Sequence, residues 1–265
     1  MRHSPRAAIL ALLAVFAVTA CSTPTDTPAP ATSTTTAAPT VTGAVTVFAA
    51  ASLTESFNRI GKDFETANPG TKVTFSFASS SALATQINNG APADVFASAS
   101  PTNMKQVVDA GNADGIGTVF VRNQLVIAVP KGNPKNIKGL SDLTSSSVKV
   151  ALCAEQVPCG AAAKTALTAA NLTVTPVTFE QDVKAALSKV KLGEVDAALV
   201  YRTDAKSSSS DVDGIEFPES ARAINDYPIA VLSKAANKPA AQAFLAYVLS
   251  DKGIAVLTNV GFQKP

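Results

Sequence analysis

From Ala44 onward the sequence predicts an α/β fold of mostly parallel sheets flanked by helices on both faces. Two observations carry this. Short apolar runs of strand length alternate with amphipathic stretches of helical length along the whole segment, the pattern of parallel strands joined by crossover helices. The segment is also about 220 residues long, enough for one large domain or two small ones.

The elements follow in order. "AVTVFAA" (44–50) reads as a buried strand. After it Leu53, Phe57, Ile60 and Phe64 recur at helical spacing, with Ser52 placed as an N-cap. "TKVTFSF" (71–77) sets Val73, Phe75 and Phe77 on one face of a second strand, and "SALATQINNG" is a helix closed by Asn89-Gly90. "ADVFASAS" and "PTNMKQVVDAG" repeat the unit, with Pro101 near a helix start and Gly111 near its end. "NQLVIAVPKG" is a strongly apolar strand. "VKVALC", a helix from about Gly160, "VTPVTF" and a helix bearing Val183, Ala186, Leu187 and Val190 come next. "VDAALVY" and "YPIAVL" are further strands, "SSSSDVDG" (207–214) is a polar loop, and a helix bearing Phe244, Leu245, Val248 and Leu249 closes the chain.

The N-terminal 43 residues are of another kind. Met1–Arg6 holds two arginines, Ala7–Ala20 is an apolar run too short to span a bilayer comfortably, and Val18-Thr19-Ala20 precedes Cys21. A charged start, a short apolar core and small residues predict a signal peptide over 1–20. A cysteine directly after them looks like a bacterial lipobox, which makes Cys21 a lipidated N-terminus. An ordinary signal with a free Cys21 thiol is the other reading. Residues 22–43 are rich in Thr, Ala and Pro and bury too little apolar surface to offset ordering entropy, so 21–43 is expected to be a disordered tether.

Loss of residues 1–20 changes the electrostatics. The whole chain has 22 basic and 20 acidic side chains; without Arg2 and Arg6 the two sets balance. A neutral chain with no basic run gives no electrostatic case for nucleic acid. The single histidine, His3, leaves too, so the mature chain has neither a Ser-His-Asp triad nor histidine metal ligands. Ser-Lys chemistry survives that exclusion, with Ser80 as its candidate nucleophile, but Lys72, the lysine nearest to it in sequence, falls at the far end of the preceding strand.

Ligands of open α/β sheets sit beyond the carboxyl ends of strands, where helix N-termini point. Four strand-to-helix junctions meet that rule: Ser52 in "VFAAAS", Ser80 in "FASSS", Cys159-Gly160 in "LCAEQVPCG" and Asp182-Val183 in "FEQDV". Tyr201 ends a fifth strand. Free amides at helix starts carry positive partial charge and bind anions. Each serine alone reads most simply as an N-cap; their recurrence at converging junctions favours donors to an anion. Asp182 favours a helix start, Asp94 orients a loop, and Arg202 points away from Tyr201 into solvent on a regular strand. Lys184 and Arg202, beside presumed ligand positions, are the available cations.

"VFAAASLTESF", "SFASSSALATQINNGAPADVFASAS", "VPCG", "QDVKAAL" and "LVYRTDA" resemble, in order, the motifs of the molybdate-binding proteins of bacterial ABC importers. The resemblance covers nearly all of 44–265, and 77–98 is its most specific block. It implies a two-lobed type II periplasmic-binding-protein fold with two crossing hinge segments. Lobe I is expected over 44–122 plus 230–265 and lobe II over 123–229, with hinges near Arg122-Asn123 and Tyr227-Pro228.

The resemblance also implies an oxyanion in the interlobe cleft, held by Ser52 and Ser80 through hydroxyl and amide, by the amides of Cys159 and Val183, and by the phenol of Tyr201. Cys159 stands where the family more often has alanine. Cys153 lies six residues earlier, and disulfides survive outside the cytoplasm, so a Cys153–Cys159 bridge stiffening the ligand loop is expected against two free thiols. The implied ligand is molybdate, with tungstate as a second. Molybdenum arrives as the oxyanion, and no cofactor or enzymatic activity is expected. The implied partners are an ABC permease and its ATPase, with a monomer lipid-anchored on the outer face of the cell membrane. A sulfate, phosphate or organic-acid receptor remains open on chemistry alone, since donors fit any small dianion.

Overall fold

The computed structural model describes residues 41–265; the expected signal peptide, Cys21 and the expected tether up to residue 40 lie outside the described residues. β1 (Gly43–Ala50) leads through a 3-10 turn, Ala51–Leu53, into α1 (Thr54–Ala67). β2 (Thr71–Ala78), α2 (Ser80–Asn88), β3 (Val95–Ala97) and α3 (Pro101–Asp109) repeat the strand–helix unit. β4 (Thr118–Asn123) follows, and after the single residue Gln124 the chain starts β5 (Leu125–Pro130) in a different sheet. There β6 (Val150–Cys153), α4 (Pro158–Ala169), β7 (Thr178–Glu180), α5 (Val183–Lys191), β8 (Ala197–Tyr201), α6 (Arg202–Ser207) and β9 (Val212–Ile215) succeed one another. A 3-10 turn, Pro218–Arg222, precedes β10 (Asn225–Val231), α7 (Lys238–Leu249) and α8 (Asp251–Val260).

The strands form two five-stranded sheets, ordered β2-β1-β3-β10-β4 and β7-β6-β8-β5-β9. In the first, β1 pairs in parallel with β2 and β3, while β10 pairs antiparallel with β3 and β4. The second repeats the design: β6 is parallel to β7 and β8, and β5 is antiparallel to β8 and β9. Each sheet is thus mixed: a parallel three-stranded βαβ core, one antiparallel strand (β10 or β5), and an outer strand (β4 or β9) that again runs with the core. Those extra strands belong to the two crossings between sheets, which run side by side: Asn123, the last residue of β4, pairs with Asn225, the first of β10.

Four elements differ from the sequence reading. β4 and α6 were not resolved from their neighbours, β9 occupies part of the expected 207–214 loop, and α8 follows α7 as a separate helix. The expected boundary at Tyr227-Pro228 also moves. All of Asn225–Val231 is hydrogen-bonded in the first sheet, so the return crossing is complete by Asn225.

The two lobes have differently built cores. The first packs Phe57, Phe64, Phe75, Phe120 and Phe244 edge to face or tilted, with ring centroids 5.4–6.2 Å apart. Such pairs add roughly 0.5–1.5 kcal/mol beyond area burial. The second is aliphatic, with Val126, Ile127, Leu143, Leu187 and Leu199 buried. Near-continuous apolar strands are what sheets covered on both faces require.

Candidate functional site

The carboxyl ends of β1, β2, β3 and β8 and the starts of α4 and α5 enclose one small cavity. All five residues singled out from the sequence line it: Ser52, Ser80, Cys159, Val183 and Tyr201. None is more than 4 % exposed. About 10 Å³ is open to the centre of a water-sized sphere, against about 280–640 Å³ in the surface grooves elsewhere. A space of that size excludes a sugar or a peptide.

The three consecutive serines have three different jobs. Ser79 is the N-cap of α2, its Oγ accepting from the Ala82 N–H at 3.4 Å. Ser80 is the first helical residue, fully buried, with its Oγ accepting from the Ala99 N–H at 2.8 Å. Ser81 donates to the Ser79 Oγ at 3.4 Å and lies toward solvent. Because Ser79 takes the third amide of the helix, the Ser80 amide at the first position keeps its N–H for a ligand.

The Ser52 expectation needs a correction. Ser52 does not cap α1, because the 3-10 turn Ala51–Leu53 intervenes and the cap position falls to Leu53, which has no side-chain cap. The Ser52 Oγ instead lies 2.9 Å from the Tyr227 hydroxyl. α4 begins at Pro158, two residues before the expected start. Proline has no N–H, so the Cys159 amide is the first donor of that helix. Cys153 and Cys159 form a disulfide, S–S 2.11 Å and Cα–Cα 5.7 Å. Gly160 lets the turn close, since a Cβ there would fall 2.0 Å from the Ala154 carbonyl oxygen.

At α5 the Asp182 carboxylate accepts from the Lys184 and Ala185 amides at 2.8 and 3.0 Å. It leaves the Val183 amide, at the first position, unclaimed. Asp182 is thus the helix cap that its position suggested; it also lines the cavity, with one carboxylate oxygen engaged by the two helix amides. Asp94 also acts structurally, accepting from the Thr46 and Ala236 amides, each at 2.7 Å.

Neither nearby cation reaches the cavity. Arg202 donates to Glu216 at 2.7 and 2.8 Å, and that pairing raises its pKa. The Lys184 ammonium binds both Glu55 oxygens at 2.8 Å and lies 3.0 Å from Asp204 Oδ1. Burial alone would lower the Lys184 pKa, but the Asp204 and Glu55 carboxylates outweigh it and raise it. Asp204 is completely buried, and burial lifts its carboxyl to about 6 despite Lys184.

The Tyr201 hydroxyl is buried with no hydrogen-bond partner among the described residues. Burial, followed by Tyr227 and Asp204, pushes the Tyr201 phenol well up, so it remains a donor. A buried hydroxyl normally finds a partner. Here it faces a cavity edged by free amides at three helix starts. Neutral N–H and O–H groups, with no lysine or arginine in the lining, suit an acceptor-only anion. The sequence reading missed Tyr227 and Ala99, which hold the two serines, and Asp204, which stood in the quoted "LVYRTDA" without a role.

Residues 45–263 match the model of the family described as bacterial extracellular solute-binding protein. The chain belongs to that family. As a bacterial extracellular solute-binding protein it is a binding protein rather than an enzyme, and among relatives of this kind it is 43% identical over 222 residues to molybdate-binding protein ModA of Mycobacterium tuberculosis. That match covers 84% of this chain and 85% of the relative. Two solved solute-binding proteins share the fold. The periplasmic molybdate-binding protein of Azotobacter vinelandii has a TM-score of 0.73 at 20% identity, covering 83% of this chain and 99% of that one. The sulfate-binding protein SubI of M. tuberculosis has a TM-score of 0.75 at 19% identity, covering 84% and 87%. At such identities the likeness concerns the fold alone, and that one fold serves proteins named for different tetrahedral oxyanions.

Proposed function

We propose that the chain is the extracytoplasmic receptor of a bacterial ABC importer, capturing molybdate, and tungstate with it, in the cavity between its lobes. It then delivers the anion to a permease with its ATPase. The observation that carries this reading is a buried, cation-free pocket of neutral donors that contains an unpartnered phenol. The 43%-identical relative named for molybdate supports the choice of ion. Cys21 after a small-residue signal supports a lipid anchor on the outer face of the cell membrane, with the protein acting as a monomer.

Ser52 and Ser80 would each give a hydroxyl and an amide, Cys159 and Val183 an amide, and Tyr201 its phenol. A dianion then meets about seven donors and no formal countercharge, with helix dipoles supplying positive potential. Each hydrogen bond to a charged group contributes about 1.5–3 kcal/mol. Residues around 41–123 and 225–265 act as one lobe and those around 125–223 as the other. Each holds part of the donor set, so hinge closure completes the shell. A protonated phosphate brings an O–H into a site built mainly of donors, and an O–H left unpaired there costs about 1–3 kcal/mol.

Sulfate has the charge and accepting power of molybdate and is the competing ligand that the same donors would take. Titration calorimetry of the purified chain with molybdate, tungstate, sulfate and phosphate tests the reading. Molybdate and tungstate should bind at least tenfold more tightly than the other two, and preferential sulfate binding would replace molybdate as the ligand. Binding of none of the four would end the receptor reading. Ser80→Ala should weaken molybdate by roughly tenfold or more.

A further inference from the structure

Each cavity serine is met from behind by one group of the first lobe. Behind Ser80 stands the Ala99 amide, donating to its Oγ at 2.8 Å. A backbone N–H only donates, so the Ser80 proton is released toward the cavity. The Ala99 peptide is itself held by Asn225, whose side-chain amide donates to the Ala99 carbonyl at 2.8 Å. Behind Ser52 stands the Tyr227 hydroxyl at 2.9 Å. Tyr227 is fully buried on β10, the strand that also carries Asn225.

A hydroxyl pair has two polarities. If Ser52 donates to Tyr227, the serine turns its lone pairs to the cavity; if Tyr227 donates to Ser52, the serine proton faces the cavity instead. The phenol is the stronger acid of the two and the better donor. An anion in the cavity reinforces that same polarity, because it attracts the serine proton and repels its lone pairs.

Resting on the oxyanion reading of the cavity, we propose that Tyr227 is a positioning and specificity-determining residue: its hydroxyl donates to Ser52 Oγ and thereby keeps Ser52 a donor. Tyr227 does for Ser52 what the Ala99 amide does for Ser80. Together they turn the proton of each serine toward the cavity, which disfavours an oxyanion carrying a proton of its own. Without the Tyr227 hydroxyl, Ser52 can rotate and accept.

The test is a double-mutant cycle on the full chain, using Tyr227→Phe, Ser52→Ala and their combination. Molybdate and phosphate are titrated into each by calorimetry, and the ligand-free melting point is followed. Tyr227→Phe removes one oxygen and keeps the buried ring. It should weaken molybdate about tenfold and narrow the preference for molybdate over phosphate. The double variant should bind molybdate no more weakly than Ser52→Ala, because Tyr227 acts through that serine. Independent, multiplying losses in the cycle, unchanged molybdate affinity in Tyr227→Phe, or an unchanged ion preference would each overturn the assignment. Wild type that binds neither ion would overturn the receptor reading itself, a result distinct from an additive cycle in a chain that binds.

Discussion

Replacing Tyr201 by Phe gives a two-sided signature that a structural tyrosine would not produce. The Tyr201 hydroxyl is buried and unpartnered, while its ring packs edge to face against Tyr227 at 6.0 Å. Phe keeps the ring and deletes only the orphan. With the anion bound, the loss is one hydrogen bond to a charged group, about 1.5–3 kcal/mol, or roughly 10- to 150-fold in Kd. In the closed ligand-free chain the same change removes an unsatisfied buried group, a gain of about 1–3 kcal/mol. Calorimetry should show weaker molybdate binding by that factor. The melting point without ligand should hold or rise, and small-angle scattering should find the ligand-free variant no more open than wild type. Affinity within twofold of wild type would refute the role of the phenol. So would a fall in ligand-free stability as large as the fall in affinity, since Tyr201 would then be supporting the fold.

Other expectations follow from the surrounding chemistry. Asp204 is raised from its ordinary 3.8 to about 6 by burial, so its contribution to stability is full below about pH 4 and is lost as pH rises through 6. Relative to Asp204→Asn, wild type should gain on the order of 3 kcal/mol, or roughly 6–12 °C in Tm, between pH 7 and pH 4, and parallel melting curves for the two proteins would contradict this. Cys153→Ser with Cys159→Ser opens a short loop whose closure is worth about 2 kcal/mol in the chain-entropy account. Thermal melting should register that loss, and molybdate affinity should fall because the Cys159 amide sits on the released turn; equal affinity would separate the bridge from the site.

How much was readable beforehand depends on whether a residue's partner is near in sequence. Helix periodicity located α1, α2 and α5, and "FASSS" announced a helix start with hydroxyls to spare. The division of labour among Ser79, Ser80 and Ser81 follows from register: the residue before the helix caps it, and the first residue within it turns to the cavity. Ser52 misled because a 3-10 turn of three residues leaves no trace in a 3.6-residue period. β4 and β9 were hidden for another reason. "TVFVRN" runs into "LVIAVP" with one residue between, and only tertiary pairing tells that the chain changes sheets there. Tyr227 lies 175 residues from Ser52, and no local pattern marks such a pair.

What holds the lobes together without ligand can be weighed against what holds them apart. Across the cleft, Lys184 on α5 binds Glu55 on α1, and Lys206 on α6 donates to the Asn259 carbonyl on α8 at 2.9 Å. Glu55 is half exposed, with 49% of its side chain accessible, and pairs of that kind contribute about 0–1 kcal/mol. Against this stand the Tyr201 phenol and the free amides of Ser80, Cys159 and Val183. Each unsatisfied buried group costs about 1–3 kcal/mol, and opening returns them to water. These two contacts across the cleft are weak beside that cost. On the proposed reading an anion would reverse the balance by binding the closed arrangement far better than the open one, the differential affinity that population shift requires. The same neutrality would favour release: as the lobes part, water would replace the anion at every donor, with no stranded positive charge to hold it back.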